Sequence, residues 1–256
     1  MIKFNVLGCW ALFIKEVKRF YSVVVQTVFA PIVSTLLYLL VFGHVIDTKL
    51  EMFGELNYSQ FLIPGLVMMA ILQNSFSNTS SSLIQSKMHG NLTFVLLSPI
   101  SPFELYIAFI AASVVRGLAV GVGILIIGMV GYDLTIQSPF WVLLFAVLSA
   151  AMMGGLGMLA GILSDKYDQL AAFQNFIIMP LTFLSGVFYS IHALPDMWQT
   201  VSHFNPFFYM VDGFRYGFFE QSDVSVYISL VVTTAFLIVI TAINLILLNK
   251  GVKIRK

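Results

Sequence analysis

The sequence predicts an all-α integral membrane protein, and three observations carry that prediction. Hydrophobic residues make up 59% of the 256 residues and charged residues only 10%, with a mean hydropathy of +0.94; an ordinary globular chain is roughly 25% charged. A compact domain of this length still exposes about a quarter of its unfolded surface, so this much apolar area cannot be hidden in a core. The apolar residues also fall in continuous runs rather than in alternation, which selects spanning helices over barrel strands. A net charge of +1 gives no strong attraction to nucleic acid. Cys9 is the single cysteine, which excludes an internal disulfide framework and any CxxC-type metal or redox site; apolar packing is its expected role.

Taken in order, residues 1–22 read as a helix lying in the membrane interface. Trp10, Phe13, Ile14, Val17 and Tyr21 recur at helical spacing, with Lys15, Lys18 and Arg19 on the other side. A signal peptide is the competing reading; no A-x-A-like cleavage site follows the first apolar run, and that run is long enough to span. Residues 23–256 then form the transmembrane domain. A spanning helix needs roughly 20 mostly apolar residues, and six runs qualify, at about 23–43, 59–76, 103–130, 140–164, 171–189 and 227–249. The third and fourth are long enough to tilt.

Between the second and third runs, residues 73–82 are rich in Asn, Ser and Thr. The tract reads as a helix leaving the membrane, with a dimer seam or pathway lining as the alternative. Beyond it, Lys87, His89 and Asn91 are mixed with Leu92, Phe94, Val95, Leu96 and Leu97, followed by Ser98-Pro99-Ile100-Ser101-Pro102. That pattern predicts a short amphipathic helix ended by prolines. Its apolar face wants a soluble partner, which is the main clue to function.

Arg116 lies well inside the third run. An intramembrane Arg costs about 2.5–3.5 kcal/mol on insertion scales, so it must face protein or water. A contact for an anionic headgroup, a gating pair, and a structural Arg on helix carbonyls or snorkelling to a polar edge all remain open for it. Between the fifth and sixth runs, residues 192–219 are apolar and aromatic but broken by Pro195 and Pro206. A re-entrant pair of short helices fits there, with Asp212 and Arg215 spaced as a local ion pair. Lys and Arg distribution fixes the orientation. With the N-terminus inside, Lys3, Lys15, Lys18, Arg19, Lys87, Lys166, Lys250, Lys253, Arg255 and Lys256 are cytoplasmic, while Lys49 and Arg215 face out. Both termini are therefore expected in the cytoplasm.

No phosphate-binding GxxxxGK[ST], HExxH or GxSxG motif occurs. No catalytic residue and no metal site is expected, since His44, His89, His192 and His203 are dispersed. Gly117 and Gly121, like Gly157 and Gly161, form GxxxG pairs suited to close helix packing.

Two stretches resemble the type-2 ABC exporter permeases, particularly the drug, lipo-oligosaccharide and polysaccharide export group. Leu96-Leu97-Ser98-Pro99-Ile100-Ser101-Pro102 is similar to the "LL-x-P-[IV]-[SP]" stretch after their coupling helix. Leu184-Ser185-Gly186-Val187-Phe188-Tyr189, then Leu194-Pro195, Trp198 and Asn205-Pro206 through Arg215, is similar to their outer segment. The acid of the family's "RE-x-GTLE" stretch is missing from residues 89–94. The resemblance implies a half-transporter of the bacterial inner membrane: a homodimer in the lipid bilayer with two copies of a separate ATPase subunit, which holds ATP and Mg. It implies coupling to the ATPase through the interfacial helix (Lys15, Lys18, Arg19) and a coupling helix between spans 2 and 3 (Lys87, Leu92, Phe94, Leu96, Pro99). On the transporter reading the re-entrant segment is an outer gate, with Arg116, Tyr189, Trp198, Phe208, Tyr209 and Arg215 as candidates for the path of an amphipathic, lipid-linked or drug-like cargo; an interfacial aromatic belt is the alternative for the aromatic residues. The competing functions are a stand-alone secondary transporter or channel, which needs mid-membrane carboxylates, and an intramembrane enzyme, which needs a paired nucleophile and base.

Overall fold

The computed structural model describes residues 4–45 and 57–252, without the side chains of residues 42–45. The first connection, with Asp47, Lys49, Glu51 and Glu55, lies outside the described residues, as do Lys3 and the basic tail at Lys253, Arg255 and Lys256. Every regular element described is helical. Helix α1 (Val6–Tyr21) is followed by a π-helical turn (Val25–Phe29) that runs into α2 (Ala30–Val45). Then come α3 (Tyr58–Met88), the short α4 (Asn91–Leu97), α5 (Pro102–Tyr132) and α6 (Pro139–Leu163). Helix α7 (Tyr167–Phe173) passes through a second π-helical turn (Gln174–Ile178) into α8 (Met179–Phe183). The chain ends with α9 (Asp196–His203), α10 (Pro206–Phe219) and α11 (Val226–Lys250).

Helices α3, α5, α6 and α11 are each long and apolar enough to cross a membrane, and α1 with the helix over Val25–Val41, bent by 78°, makes a fifth if the pair is one span. The helix expected over 171–189 ends at Phe183, and its last six residues form turns and loop. The largest departure is α3, which runs twelve residues past the apolar stretch. Its 31 residues span about 46 Å at 1.5 Å per residue, more than the about 30 Å of hydrocarbon in a bilayer. The polar tract stays helical because it is covered: Asn74, Ser75, Asn78, Thr79, Ser80 and Ser82 are buried. The tract is thus an interhelical seam within one chain rather than a solvated exit from the membrane.

Helix α3 is the central element, with 83% of its apolar window buried against 17% for α11. It fits between α5 and α6 because both turn glycines toward it. A Cβ on Gly117 would fall 2.1 Å from Ser75 Oγ, and one on Gly121 2.6 Å from Ile71 Cγ1. From α6, a Cβ on Gly157 would fall 2.3 Å from the Phe76 carbonyl oxygen, and one on Gly161 2.8 Å from Leu83 Cβ. Backbones this close let short polar side chains bond across: Ser75 Oγ donates to Ser113 O at 3.2 Å and Thr79 Oγ1 to Gly154 O at 2.7 Å. Small residues with interhelical hydrogen bonds replace the hydrophobic driving force that lipid removes. Helix α10 packs on α3, α6 and α11, its Gly213 set against the ring of Phe145.

Candidate functional site: the α1–α4 face, the outer segment and the Arg116 cleft

Helix α1 is anchored at both ends. Asn5 caps it, its side chain accepting from Gly8 N at 2.9 Å, while Asn5 N donates to Glu104 Oε1 at 2.5 Å and Asn5 Nδ2 to Pro99 O at 3.0 Å. Glu104 closes a capping box with Ser101 at the start of α5, so one carboxylate ties two helix N-termini together. At the other end, Arg19 Nη2 donates to Asn78 O at 2.8 Å and to Asn78 Oδ1 at 3.0 Å. Glu16, fully buried, accepts from Lys15 at 3.2 Å and Arg19 at 3.1 Å. Leu12, Glu16 and Phe20 form the inward face, whereas Val6, Leu7, Trp10 and Tyr21 stay exposed.

Helix α4 starts at Gly90, whose φ of +72° allows a reversal that a side chain would oppose. Leu92 is 5% exposed, packed in a cluster with Leu12, Leu83, Leu105 and Phe109. Phe94 and Leu97 are 74% and 77% exposed, and Pro99 is also exposed. Between α1 and α4 runs an apolar groove of about 460 Å³, lined by Gly8, Ala11, Leu12, Lys15, Phe94 and Pro99, among others.

The residues expected to couple therefore divide. Phe94, Leu97, Pro99, Lys15 and Lys18 are on the surface, with Leu96 half-buried. Leu92 is core, Arg19 is turned into α3, and Lys87 Nζ donates to Ser164 O at 3.0 Å and to Ile162 O, capping the end of α6. Leu97, set aside as part of a motif, is the more exposed of the two large side chains; helical spacing from a buried Leu92 would have found it.

The outer segment is similarly sorted. Arg215 is 1% exposed and does not pair with Asp212. Its Nη2 donates to Gly186 O at 2.8 Å and Val187 O at 3.4 Å, and its guanidinium lies 3.9 Å over the Phe61 ring. Asp212, also buried, accepts from Asp223 N at 2.7 Å, Val224 N at 3.4 Å and Ser229 Oγ at 3.3 Å. The expected i, i+3 pair fails because each group finds buried backbone to satisfy, which matters more than an exposed ion pair worth a few tenths of a kcal/mol. Tyr58 Oη donates to Phe188 O at 3.1 Å, so α3 and α10 together hold the 184–189 loop. Phe208 is buried; Tyr189 and Tyr209 are half-buried with their hydroxyls on Phe183 O and His203 O; Trp198 is exposed. Replacing Arg215 by Met leaves two buried carbonyls unpaired, at roughly 1–3 kcal/mol, and removes a desolvated cation–π contact of about 2 kcal/mol. Arg215→Met is therefore expected to lower the thermal midpoint of the detergent-solubilised protein by several degrees.

Arg116 is 8% exposed. Its Nη2 donates to Asn74 Oδ1 at 3.2 Å, and its buried Nε has no partner among the described residues. It borders a polar cleft of about 360 Å³ between the first π-helical turn and α2, α3, α5 and the second π-helical turn, with Gln26, Gln73, Ser77 and Gln174 also in the lining.

Long apolar helices around a polar seam, with an amphipathic helix left uncovered beside a charged one, define an all-helical multi-pass membrane protein. Residues 8–219 match the ABC-2 type transporter family. The chain is 34% identical to the inner membrane transport permease YadH of Escherichia coli K12 over 242 residues, 94% of this chain and 93% of the relative. It is 25% identical to nodulation protein J of Rhizobium leguminosarum bv. trifolii over 183 residues, covering 70% and 69%. It is 28% identical to the inner membrane transport permease YhhJ of E. coli K12 over 145 residues, covering 55% and 37%. The chain belongs to the ABC-2 type transporter family, a family of transport permeases, the membrane subunits of transporters rather than their catalytic ATPase domains.

Proposed function

We propose that this chain is the membrane subunit of an ABC exporter, moving an amphipathic, lipid-linked or drug-like cargo with energy from a separate ATPase subunit. The observation that carries the proposal is the α1–α4 face: Phe94 and Leu97 exposed on a helix whose other side is locked into the core by Leu92. An apolar patch mounted this rigidly transmits a push instead of absorbing it. The push would arrive at α4 and pass to α3, α5 and α6 through Lys87 and the Glu104 bridge. ATP and Mg reside on the partner, two copies of which serve a homodimer of this chain. Exposed apolar side chains on α2 (Val33, Leu37, Leu40) and on the α7–α8 segment (Phe176, Ile177, Phe183) are the surfaces for the second copy and for lipid.

Six crossings are reached if the helix over residues 24–45 and the helix from Tyr167 to Phe183 each traverse the bilayer, with α9 and α10 returning to the outer side as a re-entrant pair. That parity puts both termini and α4 in the cytoplasm of a bacterium, at the inner membrane. The α9–α10 segment with Trp198, Tyr189 and Tyr209 then sits at the outer gate, braced by Arg215 and Phe208. A stand-alone secondary transporter needs a carboxylate free to exchange its ion. The buried acids Glu16, Glu104 and Asp212 are each committed to hydrogen bonds instead, which favours the ATP-driven reading. The test is affinity purification of the tagged chain from its own host. A subunit with a GxxxxGK[ST] loop that hydrolyses ATP is expected to accompany it, and its consistent absence would sink the proposal.

A further inference from the structure

We propose that the cleft at Arg116 is a binding site for the anionic head, phosphate or carboxylate, of an amphiphile. Arg116 stands halfway along the 31-residue α5. Among the described residues no carboxylate lies within ion-pair distance of it, and none lines the cleft. What surrounds it is amide and hydroxyl: Gln26, Gln73, Asn74, Ser77 and Gln174. Arg19 of α1 provides the contrast, bonding to the same helix α3. It addresses Asn78, one turn of α3 beyond Asn74, but carries its own counter-ion in Glu16. Two arginines thus bind successive turns of one polar strip, and of the two only Arg19 has a negative partner among the described residues. Buried charges are ordinarily paired. Here the unpartnered Nε and a space of about 360 Å³, within the roughly 300–1,000 Å³ of small-molecule sites, supply a donor and the room for an anion.

The neighbourhood specifies an amphiphile rather than a free ion. The polar lining gives way to Ala30, Pro31, Met69 and Ala70 within the cleft, and the first π-helical turn and α2 leave Phe29, Val33 and Leu37 exposed. An acyl chain would lie along them while its head reached Arg116. Two sources present this chemistry, a lipid of the bilayer and a transported amphiphile. What becomes of the bound molecule rests on the transporter reading above. Binding itself is measured on the permease alone, so its failure would leave the ATPase coupling standing.

The experiment uses the full chain in phosphatidylcholine nanodiscs, reading the thermal midpoint against added dodecyl phosphate, with a second arm in discs containing phosphatidylglycerol. Dodecylphosphocholine and inorganic phosphate are the controls. A saturable rise in the midpoint is expected in at least one arm, retained in Arg116→Lys and weakened at least tenfold in Arg116→Gln. A response to phosphatidylglycerol assigns the site to a resident lipid; a response to dodecyl phosphate alone assigns it to a mobile amphiphile. Asn74→Asp, which supplies the missing negative charge beside Arg116, is expected to raise the midpoint without ligand and to abolish the response. The proposal is overturned by no response in either arm, an equal response to dodecylphosphocholine or to inorganic phosphate, an unchanged response in Arg116→Gln, or a wild-type response in Asn74→Asp. A fall in the midpoint of ligand-free Arg116→Gln, with no ligand response in Arg116→Lys, marks a structural arginine and also overturns it.

Discussion

Gly157→Val is expected to leave little folded protein, because the new Cβ would stand 2.3 Å from both the Phe76 carbonyl oxygen and Thr79 Oγ1. Neither obstacle yields cheaply. The first is helix backbone; the second is the hydroxyl that donates to Gly154 O at 2.7 Å. Relief requires α3 and α6 to separate, which loosens the seam on which the bundle is built. Overpacking a tight interior costs typically about 1–3 kcal/mol, and a clash with backbone belongs at the upper end. Gly131→Ala is the matched control, since a Cβ there meets nothing within 4 Å among the described residues, and replacing a helical Gly by Ala gains about 1 kcal/mol of helix propensity. Thermal unfolding followed by size-exclusion chromatography is expected to show Gly131→Ala at or above wild type and Gly157→Val largely aggregated.

The second large effect is functional. Phe94→Asp is expected to leave the permease folded and to abolish its association with the ATPase. Phe94 is 74% exposed, so its replacement costs the isolated chain within about 0.5 kcal/mol. A buried aromatic anchor at an interface is commonly worth about 2–4 kcal/mol, and an aspartate in its place adds desolvation, so affinity should fall at least tenfold. Leu92→Asp is the informative contrast: Leu92 is 5% exposed within a core cluster, and its replacement is expected to lower stability together with coupling. Co-purification and thermal midpoint measured on both variants separate the two outcomes. If Phe94→Asp retains full association, the α1–α4 face is not the docking surface.

The long apolar runs were legible because bilayer thickness sets a length that sequence reports directly, and α5, α6 and α11 lie within a residue or two of the expected 103–130, 140–164 and 227–249. The short helix after Gly90 was legible too, since Leu92 against Phe94 and Leu97 alternates at helical spacing and Ser98-Pro99 stops it. What misled was polarity. Residues 73–82 look like a helix reaching water, because hydropathy cannot register the glycines of α5 and α6, distant in sequence, that come close enough to cover them. Charges misled in the same way. Arg19 and Lys87 are expected at the coupling face and Arg215 at the outer gate, but each spends donors on backbone carbonyls of another segment. That is a tertiary fact with no local signature. For Asp212 and Arg215 the i, i+3 spacing is correct and the inference from it fails, because unpaired backbone nearby outcompetes an ion pair.

The central claim is that force reaches this chain from the cytoplasm through α4, and the sidedness of Leu97 tests it most directly. In a Cys9→Ala background, Leu97→Cys should react with a membrane-impermeant maleimide in inverted vesicles but not in intact cells, and bound ATPase subunit should protect it. Labelling of that cysteine from outside intact cells would contradict the account.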